Sequence, residues 1–155
     1  MPTKLLLIQN DHASEPVFSR FGDTADHFKR SIQRPNVVLD VFALSDTDGK
    51  TTPAGFLDYD GYLFSGSASM VDDQDPWIRK GLDMMRQLLD AERPVLGVCF
   101  GHQMLGVACG AKVGKNPKGR MNGSGTVTLT RHENDPLLKD LPNAFTVQLS
   151  HRDAV

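Results

Sequence analysis

The chain has 155 residues and a formal net charge of −2, which is enough length for one domain with a real core and excludes a basic field that would attract nucleic acid. No apolar stretch approaches the length needed to cross a bilayer, and the apolar run at residues 5–8 stops too early for a signal peptide. The two cysteines, Cys99 and Cys109, form neither a disulfide framework nor a metal-binding spacing, which favours a reducing, cytoplasmic setting.

Apolar runs that end in polar or glycine-rich turns predict four buried strands before residue 100. Between them we expect a helix over residues 24–33, with Asp23 or Thr24 as its cap and Pro35 beyond its end. A further helix is expected at residues 101–109. The predicted strands are residues 4–9, 37–42, 61–64 and 94–98.

A longer helix is predicted to begin at Pro76, with Asp75 as its N-cap. Apolar residues then recur at spacings of four, three and four, which is typical of a helix face turned to a core. The predicted core positions are Ile78, Leu82, Met85 and Leu89.

Strand and helix alternate up to residue 109, which predicts a parallel sheet covered on both faces. Residues 126–130 and 145–149 instead alternate with period two, around a proline-containing turn region, and predict antiparallel strands at one side of the sheet. We therefore expect an α/β fold with an open, mostly parallel, flavodoxin-like sheet, helices on both faces and antiparallel strands toward the C-terminus.

The segment Gly-Val-Cys-Phe-Gly at residues 97–101 lies between a predicted strand and a predicted helix. It is the thiol counterpart of the Gly-x-Ser-x-Gly nucleophile elbow, a tight turn that only small neighbours permit. Cys99 would stand at a helix N-terminus, where the dipole favours the thiolate. The backbone N–H groups of Phe100 and of Gly66, in the turn after the third strand, are candidate donors to an oxyanion.

These residues resemble the class I glutamine amidotransferases, the triad type with a cysteine nucleophile. Residues 97–103 match the family's elbow residue for residue, and residues 60–67 are similar to its oxyanion strand. Residues 116–120 and 150–153 resemble segments of its GMP-synthetase-like branch. The resemblance runs from Lys4 to the last residue, so we expect residues 1–155 to form a single domain of this type.

The resemblance implies that Cys99 attacks the side-chain amide of L-glutamine, that a glutamyl thioester forms, and that ammonia leaves for an acceptor. A synthetase or acceptor protein would then be a partner, and no cofactor, metal ion, nucleic acid or membrane is expected. Gln103 would help to bind glutamine, and Ser150 and His151 would lie near its amino-acid end.

The family also uses a histidine and a glutamate from a His-Pro-Glu-like motif, which this sequence does not contain. We expect that the sequence is truncated before that motif. His151, which follows a predicted strand, is the stronger alternative base. His102 lies on the same helix as Cys99 and is expected to pack or to cap instead.

Two other functions remain open from the residues. The first is a γ-glutamyl hydrolase-like or peptidase-like thiol enzyme, which would use similar chemistry on different substrates. The second is a non-catalytic, truncated paralogue that acts as a binding module.

Several other residues have a structural interpretation. Cys109 is predicted to be a small buried hydrophobe, and Asp72 and Asp73 are predicted to belong to a solvated loop rather than a metal site. The helical methionines are expected in the core: Met84, Met85 and Met104. Three histidines in polar surroundings are expected at the surface: His12, His27 and His132.

Overall fold

The computed structural model describes residues 1–130 and 135–155, so His132 lies outside the described residues. The chain divides into two compact units. The first comprises Met1–Val113 together with Val155, and the second comprises Gly114–Ala154.

The first unit is built on a four-stranded parallel sheet. The strands lie in the order β2-β1-β3-β4, and each differs from its predicted bounds by no more than one residue at either end. Their bounds are β1 (Thr3–Gln9), β2 (Val37–Ala43), β3 (Gly61–Phe64) and β4 (Val95–Gly97).

Four α-helices connect or flank these strands: α1 (Glu15–Phe21), α2 (Thr24–Ser31), α3 (Pro76–Asp90) and α4 (Phe100–Ala108). Asp23 caps α2, as expected, through a capping box. The Asp23 carboxylate accepts the backbone N–H of Asp26, and the Asp26 carboxylate accepts the backbone N–H of Asp23. Pro76 begins α3, also as expected. Asp75 occupies the N-cap position of α3, but its side chain makes no capping hydrogen bond.

Helices cover both faces of the sheet. Successive residues of a strand point to opposite faces, so each strand contributes side chains to both cores. On one face, Ile8 and Phe64 belong to the large core formed with α3 and α4. On the other face, Leu7 and Leu63 pack against Ala25 of α2. The expected α/β fold, with a parallel sheet covered on both sides, is confirmed.

The buried face of α3 is displaced from the predicted one. Its buried residues are Ile78, Gly81, Met84, Met85 and Leu88. Leu82 and Leu89, predicted as core, are only partly buried at the margin of the cluster. The predicted face was wrong because it was drawn through the leucine positions. The buried face instead includes Gly81, whose lack of a side chain leaves room for the Met104 side chain. The core positions expected for Met84, Met85 and Met104 are confirmed.

The second unit contains antiparallel pairs of strands. Strands β6 (Met121–Thr128) and β7 (Ala144–His151) pair along their whole length, and β5 (Gly114–Lys115) pairs with β8 (Asp153–Ala154). Antiparallel strands toward the C-terminus were expected and are confirmed. Strand β6 begins earlier than predicted, because pairing with β7 outweighs the low strand propensity of its Asn-Gly-Ser-Gly segment.

None of the helices in the described ranges is both long and apolar enough to cross a membrane. Within those same ranges, no group of three or more His, Cys, Asp or Glu side chains is arranged to hold a metal ion.

Candidate active site

Cys99 occupies a strained turn between β4 and α4. Its φ is 54° and its ψ is −109°, a conformation that residues other than glycine rarely adopt and that is often found at functional sites. The turn is fixed from both sides, since Val98 N–H donates to the Phe64 carbonyl at 2.9 Å and Gly101 N–H donates to the Ser65 carbonyl at 3.1 Å. The thiol itself is exposed.

The glycines on either side of Cys99 are required by backbone contacts. A Cβ on Gly97 would overlap the carbonyl group of Gly101, and a Cβ on Gly101 would overlap the carbonyl oxygen of Phe64. In both cases the obstacle is backbone, which cannot swing aside as a side chain can. The Gly-x-Cys-x-Gly spacing therefore has the steric origin expected of a nucleophile elbow.

Gly66 and Phe100, the two residues predicted to donate to an oxyanion, both lie next to Cys99. A Cβ built on Gly66 would lie 3.5 Å from Cys99 Cβ and 4.0 Å from Cys99 Sγ, so the turn after β3 lies beside the cysteine. Neither the Gly66 N–H nor the Phe100 N–H donates to an acceptor within residues 1–130 and 135–155. Unused donors next to a nucleophile are the arrangement that stabilises an oxyanion.

The helix that follows the elbow is anchored by the Phe100 side chain. Phe100 is buried, and its ring packs against Trp77 of α3 with 5.8 Å between ring centroids. Gln103 is buried one turn later, and its N–H donates to the Cys99 carbonyl at 3.0 Å. The first unit thus brings Cys99, Phe100, Gly66 and Gln103 together.

The other two predicted site residues belong to the second unit. Ser150 and His151 are on β7, where they pair with Asn122 and Met121 of β6. His151 Nδ1 lies 3.1 Å from the Asp153 carbonyl oxygen. Their roles in binding glutamine stay predictions.

Two residues of the α4 segment are not buried as expected. His102, expected to pack or to cap, is exposed, so the packing role is wrong. Cys109 is also exposed, because α4 ends there and Cys109 is its C-cap.

A polar cluster that the sequence analysis did not identify follows β1. His12 places Nδ1 2.6 Å from Asp23 Oδ2 and Nε2 2.9 Å from Asp46 Oδ1. A carboxylate only accepts hydrogen bonds, so both ring nitrogens must carry protons to satisfy both partners. The histidine is at the surface, as predicted, with 42% of its side chain exposed. Its geometry favours the imidazolium form.

The titration of the cluster follows from its hydrogen bonds. Bonding to Asp23 and then to Asp46 raises the pKa of His12 above its ordinary 6.5. Partial burial alone would raise the pKa of Asp23, but hydrogen bonds from the Ala13 N–H, Gln9, His12 and the Thr24 N–H outweigh it and lower that pKa from 3.8 to about 2. The contribution of His12 to the free energy of unfolding is complete below pH 6.5 and is lost as the pH rises through its raised pKa. The contribution of Asp23 to the free energy of unfolding is complete above pH 3.8 and is lost as the pH falls toward 2.

We expect Asp23→Asn to lower the free energy of unfolding by about 2 kcal/mol at pH 6, because the lowered pKa of Asp23 corresponds to that much stabilisation. The difference from the unsubstituted protein should shrink as the pH falls from 4 to 2. Urea unfolding at several pH values measures the loss of stability at pH 6 and its decrease at lower pH. Asp83→Asn, which removes only an exposed contact to Arg86, is the control and should change stability by less than about 0.5 kcal/mol. A constant difference at every pH would contradict the assignment.

A depression of about 550 Å³ lies at the other end of the sheet from Cys99. It is lined by residues of α2, of the loop that follows it and of the start of β2, among them Lys29, Arg34 and Val37. The elbow follows the carboxyl end of β4, and the strands are parallel. This depression therefore takes no part in chemistry at the thiol.

Comparisons with known proteins find both a family and related sequences. The family model described as "Glutamine amidotransferase class-I" matches residues 23–155. Among curated proteins, γ-glutamyl peptidase 5 of Arabidopsis thaliana is 33% identical over 100 residues, which cover 63% of this chain and 40% of that protein. The glutamine-hydrolysing GMP synthase of Streptococcus mutans is 39% identical over 97 residues, which cover 61% of this chain and 17% of that protein.

The fold is also found in solved structures. A glutamine amidotransferase from Thermotoga maritima superposes with a TM-score of 0.78 at 20% identity, over 99% of this chain and 62% of that one.

A third curated relative is a GMP synthase subunit of Halobacterium salinarum. It is 32% identical in sequence, and the match covers 71% of this chain and 54% of that protein. In each of these matches, the chain spans less than two thirds of the relative's length.

Proposed function

The chain belongs to the class I glutamine amidotransferase family, and on that basis we propose that it cleaves the side-chain amide of glutamine with Cys99 as the nucleophile. One observation supports this proposal above the others. The exposed thiol stands at a positive φ, and its neighbours Gly66 and Phe100 carry backbone N–H groups that donate to no other group in the described part of the chain. Acyl transfer needs this combination of nucleophile and oxyanion donors.

In the proposed reaction the Cys99 thiolate attacks the γ-carbonyl carbon of glutamine. The new S–C bond moves the π electrons of the carbonyl onto its oxygen, and the Gly66 and Phe100 N–H groups donate to that oxyanion. The proton that the thiol lost on ionising returns through solvent to the nitrogen of the intermediate, which then collapses to a γ-glutamyl thioester and releases ammonia. Attack of water on the thioester releases glutamate and restores the thiol.

We propose that Gln103, Ser150 and His151 contribute to glutamine binding, with Gln103 supported by its burial one turn beyond Cys99. One relative is named as one of the subunits of a GMP synthase. By analogy, a synthetase or another acceptor protein is the proposed partner that receives the ammonia.

A γ-glutamyl peptidase is the second candidate function, because several relatives carry that name. Both reactions pass through the same γ-glutamyl thioester and differ only in whether ammonia or an amine leaves. Incubation with L-glutamine and, separately, with a γ-glutamyl dipeptide distinguishes them. Faster release of ammonia than of free amino acid supports the amidotransferase, and the reverse supports the peptidase. Release of neither product would contradict both proposals.

We expect Gly66→Ala to slow acylation of Cys99 about tenfold or more without unfolding the protein. The added Cβ makes ordinary contacts of 3.5 Å with Cys99 Cβ and 4.0 Å with Sγ, so the fold accommodates it. It occupies space beside the nucleophile, where small displacements have large kinetic effects. Stopped-flow acylation by a γ-glutamyl active ester measures the rate, and thermal unfolding checks the fold. An unchanged rate would show that the acylated group does not occupy the space between Gly66 and Cys99 Sγ.

A further inference from the structure

Asn10 connects the end of β1 to the turn that carries Gly66. It is completely buried, although it follows directly after the last residue of the strand. Its backbone N–H donates to Ser65 Oγ at 2.9 Å, and its side-chain Nδ2 donates to the Ser65 carbonyl oxygen at 2.6 Å. Both bonds reach the residue that precedes Gly66.

The Ser65 carbonyl controls the direction of the Gly66 N–H, because the two belong to one peptide group. A trans peptide is planar and its C=O and N–H point in opposite directions, and no cis peptide occurs in the described ranges. The Ser65 carbonyl accepts from Asn10 Nδ2 and from the Gly101 N–H of the elbow. Fixing this oxygen from two sides therefore fixes where the Gly66 N–H points.

The Ser65 hydroxyl ties the next peptide group, Gly66–Ser67, to the same segment. Ser65 Oγ accepts the Asn10 N–H and donates to the Gly66 carbonyl at 3.0 Å. The next residue after Asn10 continues the contact, since Asp11 Oδ2 accepts from Ser67 Oγ at 3.1 Å. The segment after β1 thus supports the turn after β3 along its length.

Stability alone does not account for an asparagine at this position. Asn10 Oδ1 is buried and accepts no hydrogen bond from the described residues, and an unsatisfied buried acceptor is destabilising. The side chain therefore retains a bond to Ser65 while it leaves its own oxygen unsatisfied. Such a compromise is typical of residues that serve a site.

We infer that Asn10 is a positioning residue for the reaction at Cys99: it orients the Ser65–Gly66 peptide so that the Gly66 N–H meets the oxyanion. The inference rests on the proposed function, since it presupposes acyl transfer at the thiol. Asn10 itself touches no reacting atom. Its effect is confined to the transition state, in which the oxyanion exists, and does not extend to binding of the planar amide.

The test compares Asn10→Ala with the unsubstituted protein in acylation by a γ-glutamyl active ester. We expect the saturating acylation rate to fall about tenfold or more, while the half-saturating ester concentration changes less than about twofold. The affinity for a glutamyl γ-aldehyde, which adds the thiol to form a tetrahedral adduct, should fall by the same factor as the rate.

Tyr62→Phe is the matched control. It also removes one buried hydrogen bond, in which Tyr62 Oη donates to the Phe56 carbonyl at 2.6 Å. Tyr62 lies toward the start of β3, whereas Ser65 and Gly66 follow its end. Its acylation rate and aldehyde affinity should stay unchanged. If Asn10→Ala does not fold, Ser65→Ala removes the hydroxyl that joins the Asn10 N–H to the Gly66 carbonyl, and a loss of the same kind is expected.

The outcomes separate this inference from the proposed function. An unsubstituted protein that is neither acylated by the ester nor bound by the aldehyde would overturn both. Acylation of the unsubstituted protein with no more loss in Asn10→Ala than in Tyr62→Phe would overturn the positioning role alone. A loss that appears only in the half-saturating concentration would also overturn it, because it would place Asn10 in ground-state binding.

Discussion

Cys99→Ala is expected to lower the rate of γ-glutamyl transfer by a factor of about 10⁴ or more, because it removes the atom that forms the thioester. Ammonia release from glutamine and acylation by a γ-glutamyl ester should both be lost. The fold should be retained, since the side chain is exposed and alanine keeps a Cβ at the same strained position. Circular dichroism and thermal unfolding check that retention.

Cys109→Ala is the matched control for this prediction. Cys109 is the only other cysteine in the sequence, is also exposed, and lies at the opposite end of α4. Its replacement should leave both reactions at the unsubstituted rate. Retained ammonia release in Cys99→Ala, or its loss in Cys109→Ala, would refute the assignment of the nucleophile.

Gly101→Ala is expected to destabilise the protein by about 3 kcal/mol or more, beyond the usual range for overpacking. The new Cβ would overlap the carbonyl group of Phe64, which belongs to the central strand β3 and accepts the Val98 N–H. Relief requires α4 to move away from the sheet, which would break the packing of Phe100 against Trp77. Urea unfolding measures the loss.

The control for Gly101→Ala is a glycine with open space around it. A Cβ on Gly114 meets no atom within 4 Å, so Gly114→Ala should change the free energy of unfolding by less than about 0.5 kcal/mol. Equal stability of the two variants would mean that the elbow is not as tightly closed as its contacts indicate.

The strands and the elbow could be predicted because their causes are local. An apolar run of the right length that ends in a turn is sufficient for β1 or β3, and two glycines around a cysteine are sufficient for the turn at Cys99. The family resemblance then added the predicted substrate-binding roles of Gln103, Ser150 and His151, which no local pattern indicates and which stay predictions.

Other features depend on tertiary contacts and could not be predicted from the sequence. Helix α1 has no buried residue, so its apolar side chains, Val17, Phe18 and Phe21, join no core of the first unit. The exposure of Cys109 depends on where α4 ends. Asn10 acquires its significance only when β1 and β3 lie side by side. The rule that the carboxyl ends of parallel strands share one edge is the signal that would have brought it to attention.

The family membership and the fold leave one chemical step to be demonstrated, the formation of a thioester on Cys99. Intact-mass and peptide-mapping spectrometry of the protein after brief exposure to a γ-glutamyl active ester, quenched in acid, measures it directly. The predicted result is a mass increase of one γ-glutamyl group on the peptide that contains Cys99 and none in Cys99→Ala. An adduct on Cys109, or an unmodified Cys99 peptide in the folded protein, would contradict the account.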